Sequence, residues 1–341
     1  MAYKFALNRL IGTAILLGSF GGGWLFMELR DYMQTPLHLP DMGNDQQFLR
    51  YTLNPGQNLT VVAGDMYRSG IIDHPRYLRW IARWQGNADQ IKAGEYALTT
   101  GMTLQQFLDK IVRGDVIQYP ATIIEGWTYN QLRHYLSSID SIEHNPTALE
   151  PAHVISRLGY DESPPEGQFL LDTYYFTRGM SDLDILGRAY QAMTQFLQQA
   201  WEQRAADLPY KTPYEALIMA SIIEKETAVA SERKQIAGVF IRRLQKRMRL
   251  QTDPTVIYGI GESFDGNLRS RDLKADSPYN TYRHRGLPPT PIAMPGTDSI
   301  LAALHPDEGD TLYFVARGDG THQFSATISE HNKAVRKYQL K

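Results

Sequence analysis

Ala216 to Ile223 reads Ala-Leu-Ile-Met-Ala-Ser-Ile-Ile, apolar on every side of a helix. A helix with no polar face has to be enclosed by protein, so the chain must build a core with other elements packed all around this segment. Thr212-Pro213-Tyr214-Glu215 starts the helix, with a capping threonine, proline at the first helical position and glutamate at the third. The apolar run then stops on Glu224-Lys225-Glu226-Thr227. A carboxyl group directly after the most apolar turn faces desolvation, which raises its pKa and keeps it protonated near neutral pH. That is the state a general acid requires.

Spacing separates the two glutamates. They lie about 200° apart around the helix, so they cannot enter one cleft together. Glu224 shares its stripe with Leu217, Ala220, Ser221 and Ala228, whose small members leave room for a ligand; Glu226 shares a bulkier one with Met219, Ile222 and Ile223. The difference favours Glu224. The competing reading is that either glutamate only pairs with Arg233 or Lys234 as the next helix begins.

Location narrows the function further. Leu10 to Met27 contains no charged residue; Lys4 and Arg9 precede it, and Glu28, Arg30 and Asp31 follow. The run is near the lower limit for spanning ~30 Å of hydrocarbon. Its end, Trp24-Leu25-Phe26-Met27, is bulky where a signal peptidase needs small residues, so a span over 10–29 is expected rather than a cleaved leader. The flanking charges predict a cytoplasmic tip at 1–9 and everything after the span outside the inner membrane, in the periplasm. A net charge of −2 excludes a dedicated nucleic-acid binder, and the absence of cysteine removes thiol nucleophiles and Cys-based metal sites. No H-e-x-x-H pattern or histidine cluster calls for a metal, and no cofactor is expected.

After a linker at 30–50, an α+β module is expected at 51–117. It reads as a β-branched segment at Leu59–Ala63, a helix over Tyr77–Trp84, a strand at Ala93–Leu98 and a helix capped by Thr103 and stopped by Gly114. A mixed α+β domain at 118–341 follows. Its readable parts are a strand at Ala121–Ile124, helices over Tyr129–Leu136, Asp182–Ala205 and Ser231–Leu250, and a hairpin turning at Gly318-Asp319-Gly320. The helix from Ser231 carries Arg242, Arg243, Lys246, Arg247 and Arg249 on its polar face, a solvated surface or one lying near an anionic polymer or lipid. Leu250-Gln251-Thr252-Asp253-Pro254-Thr255 reads as a polar turn, and Ser277-Pro278-Tyr279-Asn280-Thr281-Tyr282 as an ordered loop. Tyrosine beside asparagine suits sugars, offering an apolar face for the ring and polar groups for hydroxyls.

These motifs, with Ala220–Thr227, Gly286-Leu287-Pro288-Pro289, His322-Gln323-Phe324, Glu330-His331-Asn332, Glu125-Gly126-Trp127 and Glu166-Gly167, resemble the endolytic murein transglycosylases, the YceG-like family. The resemblance implies a membrane anchor, a small LysM-like module and a catalytic domain. It implies lytic cleavage of the β-1,4 bond between MurNAc and GlcNAc inside peptidoglycan strands, leaving 1,6-anhydroMurNAc ends and helping to set strand length. It puts the catalytic glutamate on Glu224, and Gln251, Tyr279, Asn280 and His322 are groove candidates. The partners it suggests are glycan strands and peptidoglycan synthases or a division or elongation complex. The alternatives are a lysozyme-like hydrolase with Asp253 or Glu226 as second carboxylate, and a non-catalytic wall-binding scaffold. A serine acyltransferase has only Ser231-x-x-Lys234 in its favour; that serine is expected instead to cap its helix.

Overall fold

Asn58 and the residues after it illustrate how local chemistry decides the type of an element. The Asn58 side chain accepts from the Thr60 and Val61 amides, and Leu59, Val62, Ala63 and Met66 are buried at helical spacing. The segment read as β-branched is therefore the start of helix α1, Leu59–Arg68. An N-cap bond and one buried stripe outweigh the strand preference of Thr60, Val61 and Val62. In the computed structural model, which describes residues 22–41 and 47–340, the chain divides into two compact units, Met1–Tyr119 and Pro120–Lys341.

In the first unit, strands β1 (Leu49–Leu53) and β2 (Gly94–Leu98) pair antiparallel, with Tyr51 opposite Tyr96. Helices α1, α2 (Pro75–Trp84) and α3 (Leu104–Arg113) pack with them around Val62, Leu78, Tyr96 and Phe107. Thr103 forms a full capping box with Gln106, and Gly114 closes α3 in the left-handed conformation. Part of the segment read as a linker belongs to this core: Met33 and Leu37 are buried, and the Leu37 amide bonds the Met102 carbonyl at 2.8 Å. Of the expected span at 10–29, residues 10–21 lie outside the described residues; residues 22–33 are helical. No helix among the described residues is long and apolar enough to cross a membrane.

In the second unit, α6 (Pro213–Glu226) is the enclosed helix that its composition demands, buried continuously from Ala216 to Ile223. Around it lie α5 (Asp182–Glu202), α7 (Arg233–Gln245), α8 (Asp253–Ile260) and α9 (Thr297–Leu304). The shorter α4 (Tyr129–Ser137) precedes them, and strands β3 (Tyr119–Thr122) and β4 (Thr173–Phe176) pair with each other. The hairpin β5 (Tyr313–Ala316) and β6 (His322–Ser325) packs against α10 (Ile328–Tyr338), which Thr327 and Glu330 open with a capping box. The Leu250–Thr255 stretch is only partly a turn, because Pro254 sits in the first turn of α8. Ser231 lies in a 3-10 turn and caps nothing; α7 begins beyond it.

Of the basic run, Lys246, Arg247 and Arg249 are exposed, as a solvated face requires, while Arg242 and Arg243 turn back onto the protein. Arg242 donates to the Thr311 carbonyl at 2.7 Å and the Asp307 carbonyl at 3.0 Å. Arg243 is buried and donates to the carbonyls of Leu312 (2.7 Å) and Leu250 (2.6 Å). Two of the five cations thus hold loop backbone whose carbonyls have no strand partner.

Candidate active site

The end of α6 separates the two glutamates as their spacing requires. Glu224 points to the side lined by small residues, but the chain itself fills that room. Ser221 accepts from the Ile292 amide at 3.0 Å, and Ile292, Ala293 and Met294 lie buried in the same region. The segment continues to Gly296, whose amide donates to Glu224 Oε2 at 3.0 Å, and to Ser299, whose hydroxyl donates to the same oxygen at 2.7 Å. Gly296 is the N-cap of α9, so the carboxylate sits at the positive end of that helix. Arg233 approaches the other oxygen at 3.6 Å and also reaches Glu125 (3.7 Å) and Asp298 (3.4 Å). Glu125 is in turn pushed above the usual carboxylate range by burial and by the neighbouring Glu224. With a side chain only 6% exposed, Glu224 is fully engaged inside the protein. This is the ion-pair alternative that the sequence left open for either glutamate.

Glu226 is the last residue of α6. Thr227 turns the backbone extended, so the bulky stripe of Met219, Ile222 and Ile223 ends beneath Glu226, and its carboxyl group overhangs a cleft of about 520 Å³. Gln251, Asp253, Tyr282, His322 and His331 line the same cleft. Burial pushes Glu226 up to about 7; Asp253 adds to the rise, while the Thr252 hydroxyl, His322 and Arg243 oppose it. Thr252 donates its hydroxyl directly to Glu226 Oε1. A carboxyl group with that pKa is substantially protonated at neutral pH and still able to ionise.

The motifs around the cleft fix one another. The Thr281 hydroxyl accepts from the Thr252 amide at 3.1 Å and meets the Thr255 hydroxyl at 2.9 Å, tying the turn before α8 to the loop at 277–282. Gln251, with φ of 53°, is the left-handed residue that makes this turn. Tyr282 donates to Asp253 Oδ1 at 2.6 Å. Across the cleft, Glu232 accepts from the His322 amide at 2.9 Å and contacts His322 Nδ1 at 2.7 Å, which fixes the imidazole.

Of the four groove candidates, Gln251 and His322 line the cleft and the other two do not. Asn280 is fully buried, its amide donating to the carbonyls of Leu273 (3.1 Å) and Ala275 (2.8 Å) while its oxygen accepts from the Tyr282 amide. It shapes the loop. Tyr279 bonds Thr290 at 2.9 Å and packs its ring on Tyr258. Tyr258 in turn donates at 3.0 Å to Glu166, a carboxyl group that burial raises to about 7, and whose neighbour Gly167 holds φ of 79° against Pro291. The glycine is required there, because a Cβ would meet the proline ring at 2.5 Å.

Sequence reasoning missed Tyr282, Arg243 and His331 as cleft residues. His331 Nδ1 is buried without a hydrogen-bond partner among the described residues, and burial followed by the Arg243 charge lowers its basicity. The signal available was His331 in the first turn of the capped C-terminal helix, four residues after Thr327.

Residues 51–337 match the model of the YceG-like family. A Bacillus subtilis protein named endolytic murein transglycosylase is 32% identical over 300 residues, covering 83% of this chain and 82% of that protein. A Streptococcus pneumoniae protein of the same name is 25% identical, and the match spans 97% of this chain but 64% of that longer relative. The crystal structure of a YceG-like protein from Listeria monocytogenes superposes with a TM-score of 0.52 at 29% identity, over 84% of this chain and 98% of that one.

Proposed function

Because the chain belongs to the YceG-like family, we propose that it is a peptidoglycan lytic transglycosylase that cuts inside glycan strands, with Glu226 rather than Glu224 as its catalytic acid. The observation that carries this reading is the place of Glu226, a carboxyl group whose pKa burial raises, at a cleft wide enough for sugar rings. Glu224 has no such position: its Oε2 accepts from Gly296 and Ser299, its Oε1 faces Arg233, and it does not line the cleft. In the reaction, Glu226 protonates the glycosidic oxygen as the bond from the anomeric carbon breaks. The sugar's own 6-hydroxyl then attacks that carbon, closing the anhydro ring, and its proton returns to the Glu226 carboxylate. The attack is intramolecular, which supplies the high effective molarity that a water molecule lacks. The substrate is the MurNAc-GlcNAc bond of the glycan strand, and the run at Leu10–Met27 anchors the enzyme in the inner membrane with the catalytic unit in the periplasm.

Asp253 favours a second reading. It is an exposed carboxylate in the same cleft, and a hydrolase would use such a group to activate water. Digestion of purified peptidoglycan by the full chain, read by mass spectrometry, separates the two. Anhydro-ended fragments are expected, and reducing ends would replace the lytic mechanism with a two-carboxylate one.

The pH profile follows from the same carboxyl group. Its protonated form is lost as pH rises through about 7, so kcat/KM falls on an alkaline limb centred there. The Thr252 hydroxyl donates to the ionised form and lowers the pKa, so Thr252→Val moves that limb to higher pH. A limb that stays in place would mean that another group titrates.

His331 lines the cleft with its Nδ1 buried and unpartnered, and a small turn of the ring would offer that nitrogen to a sugar hydroxyl. His331→Ala should raise KM by roughly tenfold, the value of one hydrogen bond to a buried group, with kcat changed less. An unaltered KM would remove His331 from the binding surface.

A further inference from the structure

The aromatic face of the first unit has no role in the cleft chemistry. On α2, Tyr77, Trp80 and Trp84 recur at three and four residues and form one stripe. Trp80 is 45% exposed and Trp84 73%, while Leu78, Ile81 and Ala82 face the core. Arg76, Arg79 and Arg83 form the adjacent stripe, and α2 carries no acidic residue. None of the three arginines has an ion pair among the described residues. Water gains nothing from two exposed indoles beside three free guanidinium groups. A lipid headgroup region accommodates both, the rings at the acyl boundary and the cations at phosphate.

The helix at 22–33 sets the depth. Phe26 meets Trp84 edge-on at 5.4 Å, and Tyr77 donates to Glu28 at 2.9 Å. Phe26 and Met27 end the charge-free run, and Glu28, Arg30 and Asp31 begin the polar chain. Whatever level Phe26 occupies in a bilayer, Trp84 shares it. Between the two helices lies an apolar cleft of about 460 Å³ lined by Leu25, Phe26, Leu29, Trp80 and Trp84, with Arg30 at its rim. A second hollow of about 640 Å³ shares Leu25 and Trp80 with it and is lined further round by Tyr77, Asp73, His74 and Arg76.

We propose that this face is seated in the membrane interface, with a phospholipid acyl chain in the cleft between the 22–33 helix and α2 and the α2 arginines on anionic headgroups. The proposal rests on reading Leu10–Met27 as the span. It makes the anchor more than a tether, since the first unit is held against the bilayer by α2 as well as by the chain entering it.

The chain has no cysteine, so single spin labels can be introduced without removing native residues elsewhere. The test uses the full chain in nanodiscs of phosphatidylethanolamine and phosphatidylglycerol, labelled at Gln85→Cys or at Leu16→Cys. Depth is read from accessibility to oxygen against a water-soluble nickel chelate, calibrated with labelled lipids. The label at 85 is expected at the headgroup–acyl boundary. It should shift toward water when Trp80 and Trp84 are both changed to serine, and when phosphatidylcholine replaces phosphatidylglycerol. A label at 85 as open to the chelate as a free nitroxide would overturn the proposal. The label at 16 reads the span separately: deep at 16 with water at 85 leaves the span standing and removes the interface, and water at both removes both.

Discussion

Glu226→Gln is expected to reduce strand cleavage by roughly a thousandfold or more, because it removes the only group assigned to proton transfer in both halves of the reaction. Glutamine keeps the volume and can still accept from the Thr252 hydroxyl, so the fold should melt at an unchanged or slightly higher temperature. The sign follows from linkage. A carboxyl group whose folded pKa is raised to about 7 stabilises the fold fully only below its unfolded value, and that stability is lost as pH rises through about 7. At neutral pH the neutral amide therefore avoids a desolvation cost that the acid partly bears. Glu224→Gln should do the opposite. Its oxygen can still accept from Gly296 and Ser299, but Arg233 loses a buried partner, so the unit should lose about 1–3 kcal/mol while activity stays within a few fold. Kinetics and melting curves on the pair decide the assignment. An inactive, stable Glu224→Gln beside an active Glu226→Gln would reverse it.

The enclosed helix and the protonatable end of it were both legible, because an all-round apolar run has only one environment open to it. Four capping boxes, at Thr103, Thr128, Ser181 and Thr327, fix helix starts through bonds that need no tertiary partner. Which glutamate faces the cleft was not legible. The small residues beneath Glu224 signalled space, and spacing along one helix cannot say whether a ligand or the chain at 292–296 fills it. Glu226 escapes its bulky stripe only because α6 stops there, a property of the backbone at Thr227. Tyr279 and Asn280 have sugar-binding chemistry, yet the partners that claim them come from the loop itself and from Thr290. Arg242 and Arg243 likewise belong to a run of surface composition, yet their guanidinium groups are claimed by carbonyls about seventy residues away in the chain.

Arg243→Met is the second change with a large expected effect, and it separates packing from electrostatics. Arg243 joins three segments: its guanidinium donates to Leu250, just before the cleft turn, and to Leu312, just before the hairpin, and lies over the Tyr313 ring at 5.2 Å. Methionine fills a similar volume but leaves those carbonyls without donors, at a cost of about 2–4 kcal/mol. For a unit of this size that corresponds to a Tm lower by roughly 5–15 °C. Arg243 also opposes the raised pKa of Glu226, so its loss moves the alkaline limb of activity to higher pH. Arg243→Lys restores the charge but offers a single ammonium where a planar fork bridged two carbonyls. The lysine variant should therefore keep the limb near 7 while its Tm remains low. If methionine and lysine shift the limb equally, the arginine acts on Glu226 only through the position of the Leu250–Asp253 turn; if only methionine shifts it, charge across the cleft tunes the acid.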